Sequence, residues 1–316
     1  MADDADESGT RSWNDTRAAI GKDRPLATGL YLVATPIGNL GDITLRALDV
    51  LKRVDRIACE DTRQTQKLLN HYGISTPTVS YHEHNEHERA AKLIDDLKQG
   101  ARIAVVSDAG MPGISDPGSV LVREAIAAGV TVIPIPGANA ALSALVASGL
   151  STEEFHFVGF LPEKAGARRT RLEALAAQHR ESAETLIFYE APHRIAEMLE
   201  DLEGVFGVAL RIVAARELTK MHEEFLRGTV GEVRGKLGER ERIRGEFVLL
   251  IEAPSNAAGP SSLHSQERET ISNQVKRLQS ESGINEKEAL KRLARESGKS
   301  KSELYRELQR ERAKRR

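Results

Sequence analysis

The side chains best placed by type and spacing to do chemistry fall in three loops, each following a short aliphatic run. The first is Thr35-Pro-Ile-Gly-Asn-Leu-Gly-Asp42. A glycine-containing loop leaving a strand turns backbone N–H groups toward the carboxyl edge of a sheet, where α/β proteins hold ligands. Gly38 and Gly41 match neither G-x-G-x-x-G nor a Walker loop with its Lys-Ser/Thr, so this loop alone is a weak signal. The second runs from Ser107 to Gly118, with three glycines and two prolines in twelve residues. That composition makes a rigid, non-helical loop whose backbone can approach a ligand closely. An ordinary connection needs only about 2–6 residues, so the extra length points to binding. Asp108 and Asp116 offer it acceptors for hydroxyl or amine groups. The third, Ile135-Pro-Gly-Ala-Asn-Ala-Ala-Leu-Ser-Ala-Leu, passes from a strand into a helix of small residues. Small side chains serve close helix packing and ligand space equally well.

A fourth cluster places His82, His84 and His87 close together after Ser80. Strand alternation puts His82 and His84 on one face and His87 elsewhere, which is a poor arrangement for three ligands of one ion. No metal is expected; a polar wall facing a substrate is. Tyr81 suits stacking on an unstacked base or packing in a core. Asn85 is a candidate cap for a helix over 88–98.

The elements that must position these loops follow from the hydrophobic pattern. Strands are expected at 29–34, 56–61, 103–107 and 130–135, with helices over 43–54, 62–72, 88–98, 119–128 and 138–147. The strands are aliphatic rather than alternating, which predicts a parallel sheet covered on both faces. After Leu150 the pattern changes. Strands at 155–160, 185–190, 209–214, 223–227 and 246–252, with helices over 169–179 and 192–202, predict a second α/β lobe with a more mixed sheet. The domains expected are a tail at 1–24, an N-terminal lobe at 25–150, a C-terminal lobe at 151–254, a linker at 255–262 and a basic helical module at 263–316. Three short helices, about 266–279, 287–296 and 301–310, fit the last, with Asn285 and Ser300 as caps.

Composition narrows the class. The chain has 316 residues, one Cys (Cys59) and 45 Lys+Arg against 47 Asp+Glu. A single thiol excludes an intramolecular disulfide scaffold and suits a reducing compartment. The longest uncharged stretch, 125–152, is interrupted by Pro134, Pro136 and several glycines, so it reads as strand, turn and helix rather than a membrane span. The acidic start lacks a continuous apolar core and is neither a secretory nor a mitochondrial signal. The expected location is the cytoplasm, without a membrane. Net charge divides unevenly: −2 over residues 1–24, −6 over 25–262 and +6 over 263–316. The overall −2 therefore does not count against a polyanionic partner.

The three loops in order, with other long motifs, resemble the tetrapyrrole methylase superfamily. The motifs are 31–48 (Tyr-Leu-Val-Ala-Thr-Pro-Ile-Gly-Asn and onward), Cys59-Glu-Asp-Thr-Arg-Gln-Thr, Ser80-Tyr-His-Glu-His-Asn-Glu, 107–118, Pro136-Gly-Ala-Asn-Ala, Gly159-Phe-Leu-Pro-Glu-Lys, Phe188-Tyr-Glu-Ala-Pro-His-Arg and Arg216-Glu-Leu-Thr-Lys. Within that superfamily they are similar to the branch that methylates ribose 2′-oxygens in ribosomal RNA. Ala34-Thr-Pro stands where cobalamin-pathway members carry a glycine-rich Gly-x-Gly-Pro-Gly, and Ser-Asp-Ala where they carry Gly-Asp-Pro. The resemblance implies two α/β lobes with S-adenosyl-L-methionine in the cleft between them. It implies cofactor contacts at Pro36, Gly38, Asp108, Gly110, Gly113, Ile114, Ser115, Asn139, Ala140 and Tyr189. It also implies a homodimer acting on a decoding-region cytidine of 16S rRNA, within the small ribosomal subunit.

Methyl transfer to a hydroxyl is an in-line displacement that aligns oxygen, methyl and sulfur while a proton leaves the oxygen. Candidate catalytic residues are Glu60, Glu190 and Lys220, with Asp61 and Lys164 also considered. Desolvation could bring the Lys220 pKa down toward neutrality and make it a base. Arg63, Lys164 and Arg194 are candidates for RNA contacts, since a guanidinium fork matches phosphate oxygens. Two alternatives stay open on sequence: a corrin or porphyrin C-methyltransferase, and a DNA-binding regulator built on the helix–Gly turn–helix form of the basic module.

Overall fold

A computed structural model of the chain describes residues 25–82, 85–179, 184–252 and 285–297, with 275, 278, 279, 304, 305 and 308. The four aliphatic runs of the first half form β1 (Gly29–Val33), β2 (Arg56–Cys59), β4 (Arg102–Val106) and β5 (Val132–Ile135), and an unexpected short strand, β3 (Thr78–Ser80), joins them in a parallel sheet. Their order is β3-β2-β4-β1-β5. Helices α1 (Leu45–Arg53) and α2 (Thr62–His71) cover one face, where Val33, Ile57 and Val106 are buried. On the other face α3 (Glu86–Lys98) and α4 (Ser119–Ala127) pack over Leu30, Ile103 and Val105. Burial on both faces is why these strands read as unbroken aliphatic runs.

The order places β4, β1 and β5 side by side, so the three loops leave one edge of the sheet next to each other. Val33 pairs with Val106 on one side and Ile135 on the other. From β1 the chain crosses to β2, and from β4 it crosses the opposite way to β5. The gap between β1 and β4 is thus a switch point, where open α/β sheets bind ligands.

The second sheet holds β6 (Phe155–Phe160), β7 (Thr185–Glu190), β8 (Arg211–Arg216), β9 (Glu224–Thr229) and β10 (Phe247–Glu252), ordered β6-β7-β10-β8-β9. Only β6 and β7 run parallel, so the sheet is mixed as expected. Helices α6 (Ala165–Gln178), α7 (Ile195–Phe206) and α8 (Val230–Gly238) bury Phe188, Leu249 and Ile251. The opposite face, with Ile187, Val213, Val248 and Leu250, is covered by α5 (Ala140–Ser148). This helix follows β5 in the chain yet packs on the second sheet. Arg227 of β9 ties down its end by donating to the carbonyls of Ala147 (2.6 Å) and Ser148 (3.1 Å).

Several boundaries differ from the sequence expectation. Helix α6 starts four residues early, and α7 starts only at Ile195 because 192–194 form a turn. Helix α8 was not expected. Gly231, Gly235 and Gly238 dilute its pattern, although Thr229 and Glu232 form a capping box. Asn85 holds the cap position of α3, but its Oδ1 accepts from the His82 N–H (2.9 Å) rather than from the helix.

The described residues divide into two units, within Met1–Ser255 and Asn256–Arg316. In the second, α9 (Glu286–Ser297) buries Ala289, Leu290 and Leu293 with Val275, Leu278, Leu304 and Leu308. Asn285 caps α9 by accepting from the Glu288 N–H at 3.0 Å. The expected tail at 1–24, linker at 255–262, Ser300 cap and His84 lie outside the described residues. Among those described, no helix is long and apolar enough to cross a membrane.

Candidate active site

Two backbone hydrogen bonds pin the first loop to the second: Thr35 N–H to Gly110 O (2.9 Å) and Gly110 N–H to Thr35 O (3.1 Å). The Thr35 hydroxyl donates to Ser107 O (3.1 Å) and accepts from the Gly110 N–H (3.2 Å). Ser107 Oγ donates to Gly110 O at 3.0 Å. Gly110 has φ +91°, and a Cβ there would lie 3.3 Å from Ile37, inside the loop junction. Gly113 (φ +82°) shapes the same loop, its N–H donating to Pro117 O at 3.2 Å. Ser115 adopts φ +59° without being glycine, a strained backbone of the kind concentrated at binding sites.

These loops and the second sheet enclose a cavity of about 250 Å³. Gly110, Ile114, Ser115, Asn139, Ala140 and Tyr189 line it, together with Ile37, Met111, Phe160, Leu218 and Val248. Asn139 caps α5 by accepting from the Leu142 N–H (2.9 Å), and Tyr189 Oη accepts from the Ala141 N–H (3.3 Å). Phe157 and Phe160 meet the Tyr189 ring edge-on at 5.0 and 5.7 Å. Pro36, Gly38 and Asp108 line an adjoining, larger cavity of about 750 Å³ on the far side of the first loop. Both cavities share Ile37, Ala109, Lys220 and Glu246. Gly113 is in the loop but lines neither.

The first cavity ends in acids. Burial pushes the Asp116 carboxyl up to about 6, with the charges of Glu60 and Asp108 adding to the shift. Burial also raises Asp108, whose Oδ1 accepts from the Asp61 N–H at 3.4 Å. Glu190 is 1% exposed, and burial raises its pKa against the opposing pull of the Ala191 N–H and Arg194. Its Oε1 accepts from the Ala191 N–H (2.8 Å), while its buried Oε2 has no hydrogen-bond partner among the described residues. Glu60 is exposed at the end of β2 and lines neither cavity.

Lys220 departs from the expectation of a lowered pKa. Burial pulls it down, but Glu217 (2.7 Å) and Glu246 (3.0 Å) accept from its Nζ, and the net shift is upward. The ammonium is held charged, which suits anchoring rather than proton abstraction. Its loop also joins the lobes: Asn39 N–H donates to Thr219 Oγ1 at 3.1 Å. A Cβ on Gly38 would lie 2.4 Å from Lys220 Cγ and 3.1 Å from Leu218 O.

The three basic candidates lie outside both cavities. Arg63 is exposed at the start of α2, paired with Asp61 at 3.0 Å. Lys164 is exposed at the cap position of α6. Arg194 is turned inward: it donates to Leu161 O (2.7 Å) and Pro162 O (3.4 Å) and pairs with Glu190 (3.2 Å). Its side chain is 16% exposed, so the structure spends its guanidinium on internal acceptors. Tyr81 is a core residue, with its Oη accepting from the Leu121 N–H at 3.2 Å. Among the described residues, the group of metal-ligand type is His156, His179 and Glu184, at the opposite end of β6 and β7 from the cavities.

Sequence reasoning missed Ile37, Met111, Glu217, Leu218, Glu246 and Val248 as lining residues. Glu217 and Leu218 sit inside a quoted motif, so proximity to Lys220 was their available signal. Glu246 is brought in only by the β8–β10 pairing that begins beside it.

A family model of the tetrapyrrole (corrin/porphyrin) methylases matches residues 29–234. A protein of Halalkalibacterium halodurans named ribosomal RNA small subunit methyltransferase I is 54% identical over 231 residues, which is 73% of this chain and 78% of that protein. Its namesake in Bacillus subtilis is 53% identical, covering 72% of this chain and 76% of its own length. Among solved structures, the methyltransferase CobJ matches with a TM-score of 0.54 at 18% identity, over 75% of this chain and 98% of its own. A diphthine synthase matches with a TM-score of 0.52 at 15% identity, over 71% of this chain and 89% of its own. At such identities these two structures speak for the fold alone.

Proposed function

The chain belongs to the tetrapyrrole (corrin/porphyrin) methylase family, and on that premise we propose that it methylates the ribose 2′-oxygen of a decoding-region cytidine in 16S rRNA. It is an S-adenosylmethionine-dependent methyltransferase, and rRNA is its substrate. The carrying observation is the identity of 50–54% to relatives named for small-subunit rRNA methylation. Relatives at that identity are named for rRNA methylation and not for a tetrapyrrole, which favours the RNA reading over a corrin or porphyrin substrate.

The residues present fit the cofactor. Loop backbones and apolar side chains can enclose an adenosine and a thioether stem. Asp116 and the unpartnered Glu190 oxygen supply negative charge for an amino group or a sulfonium. When bound, S-adenosylmethionine supplies an electrophilic methyl group. Ile114, Leu218 and Val248 exclude water from the cavity, while the Gly110 junction leaves space for close backbone approach. Of the candidates for taking the hydroxyl proton, Glu190 has the open oxygen, whereas Lys220 holds its proton against both Glu217 and Glu246. Cofactor contacts at Gly110, Ile114, Ser115, Asn139, Ala140 and Tyr189, the expected positions that line the first cavity, with a cytoplasmic homodimer and an assembled subunit as substrate, complete the reading.

The test is transfer of labelled methyl from cofactor to 30S particles and to protein-free 16S rRNA, followed by nucleoside digestion. Label in 2′-O-methylcytidine is the expected outcome. Label in an added tetrapyrrole and none in RNA would sink the reading.

A further inference from the structure

The larger cavity is bounded on one side by the first loop and on the other by a face of α2, from which Gln64, Lys67, Leu68 and His71 line it. Their spacing of three and four residues is that of a single helix stripe, with neighbours about 5–6 Å apart. Lys67 donates to the neutral Gln64 Oε1 at 2.9 Å and pairs with no carboxylate among the described residues. Its positive charge therefore stays available at the cavity wall. Arg63, four residues earlier, continues the stripe outward. The far end of α2 is fixed to the first loop, since Tyr72 Oη donates to Leu40 O and His71 meets the Tyr72 ring edge-on at 4.7 Å. The opposite wall carries Asp108 and Glu246 as acceptors, with the Lys220 ammonium held against Glu246 at 3.0 Å.

We propose that this second cavity seats the target RNA strand, with Lys67 and His71 of α2 contacting its phosphates. The inference rests on the reading of the protein as an rRNA methyltransferase and assigns RNA-positioning residues that the motifs do not contain. A cationic helix face suits phosphate oxygens, and acceptors opposite suit ribose hydroxyls and base amino groups. The reacting oxygen must approach the cofactor methyl from a separate volume. The wall shared by both cavities, at Ile37, Ala109, Lys220 and Glu246, is where the two volumes meet. Lys67 and His71 are positioning residues in this scheme, remote from the transferred group.

The experiment compares Lys67→Ala, His71→Ala and the double variant with wild type in three measurements: methylation of 30S particles, anisotropy binding of a cytidine-containing single-stranded RNA, and cofactor calorimetry. The expected double variant raises KM for the particle at least about tenfold, with kcat and cofactor affinity changed by less than about twofold. Lys67→Arg restores most of the loss. Lys67→Ala lowers the slope of log affinity against log salt by about 1. Lys52→Ala, which removes an exposed charge from α1, leaves KM unchanged. Unchanged KM and salt slope in the double variant overturn the seat. Lys67-dependent RNA binding without methyl transfer would instead refute the methyltransferase reading and leave the seat standing. Absence of any Lys67-dependent RNA binding overturns the seat whatever the chemistry.

Discussion

Asp116 carries its carboxyl at the cavity end with a pKa near 6 because burial and the neighbouring charges of Glu60 and Asp108 oppose ionisation. Two consequences follow with opposite signs. The folded state binds a proton that the unfolded chain has released above about pH 4, so this group's contribution to stability declines as pH rises through 6. Asp116→Asn should therefore raise Tm at about pH 8 and change it little at about pH 4. A cationic ligand prefers the ionised form, so cofactor affinity in wild type should rise with pH across the same window. Calorimetric titration of Asp116→Asn should show weaker binding and a flat profile there. Gly38 offers a steric test. A Cβ would meet the Leu218 carbonyl and the Lys220 stem, so Gly38→Ala must displace the 217–223 loop. We expect weaker cofactor binding and a lower kcat, by about tenfold, in a protein that still folds. The site was partly legible at this scale. Loop glycines and acids advertise themselves by type, whereas the Leu161 and Pro162 carbonyls that turn Arg194 inward and the second acid on Lys220, Glu246, are distant in sequence.

Between elements, a polar joint with two buried charges, Arg168 and Asp201, links α6 to α7. Arg168, 1% exposed, donates to Asp201 at 2.6 Å and Glu197 at 3.1 Å, and Arg169 also reaches Asp201. Burial raises the Asp201 pKa, but the two arginines outweigh it and the net shift is downward. Asp201 thus stabilises the fold at neutral pH, and that contribution is lost as pH falls through its lowered value. Arg168→Ala leaves the buried Asp201 carboxylate with Arg169 alone and should cost about 3 kcal/mol in urea unfolding, while Arg168→Met should cost clearly less at acidic pH. Nothing in the pattern of 165–178 marks Arg168 as internal, because a lone arginine on an apolar stripe also reads as snorkelling. Strands, by contrast, were legible except for β3, whose Thr-Val-Ser is too short and polar to stand out, since β-branched runs between glycines have few other uses. Helix α8 was hidden by its three glycines, and the α2 contribution to the second cavity was hidden because Lys67 and His71 belong to no motif.

For the whole molecule, charge is distributed by unit rather than averaged. The 263–316 segment carries +6 beside a −6 body, and the described apolar residues of its unit form a cluster of their own. Truncation after Glu252 should leave cofactor affinity unchanged while raising KM for 30S particles, with a shallower salt dependence. Equal KM for full-length and truncated protein would remove the RNA role of that module.

The position of β10 in its sheet has a consequence for synthesis. The final strand of the second lobe lies third of five, between β7 and β8. The first sheet is complete once β5 has been made, so it can form while the ribosome is still at work. The second cannot close until Glu252 emerges, and until then α5 lacks the central strip of its packing surface, Val248 and Leu250 of β10. At about 5–20 residues per second, the interval between Ala140 and Glu252 lasts roughly 6–22 s. During that time a nascent helix of small and aliphatic residues stands beside a finished lobe. A chaperone footprint on stalled chains should appear past Ser148 and vanish after Glu252.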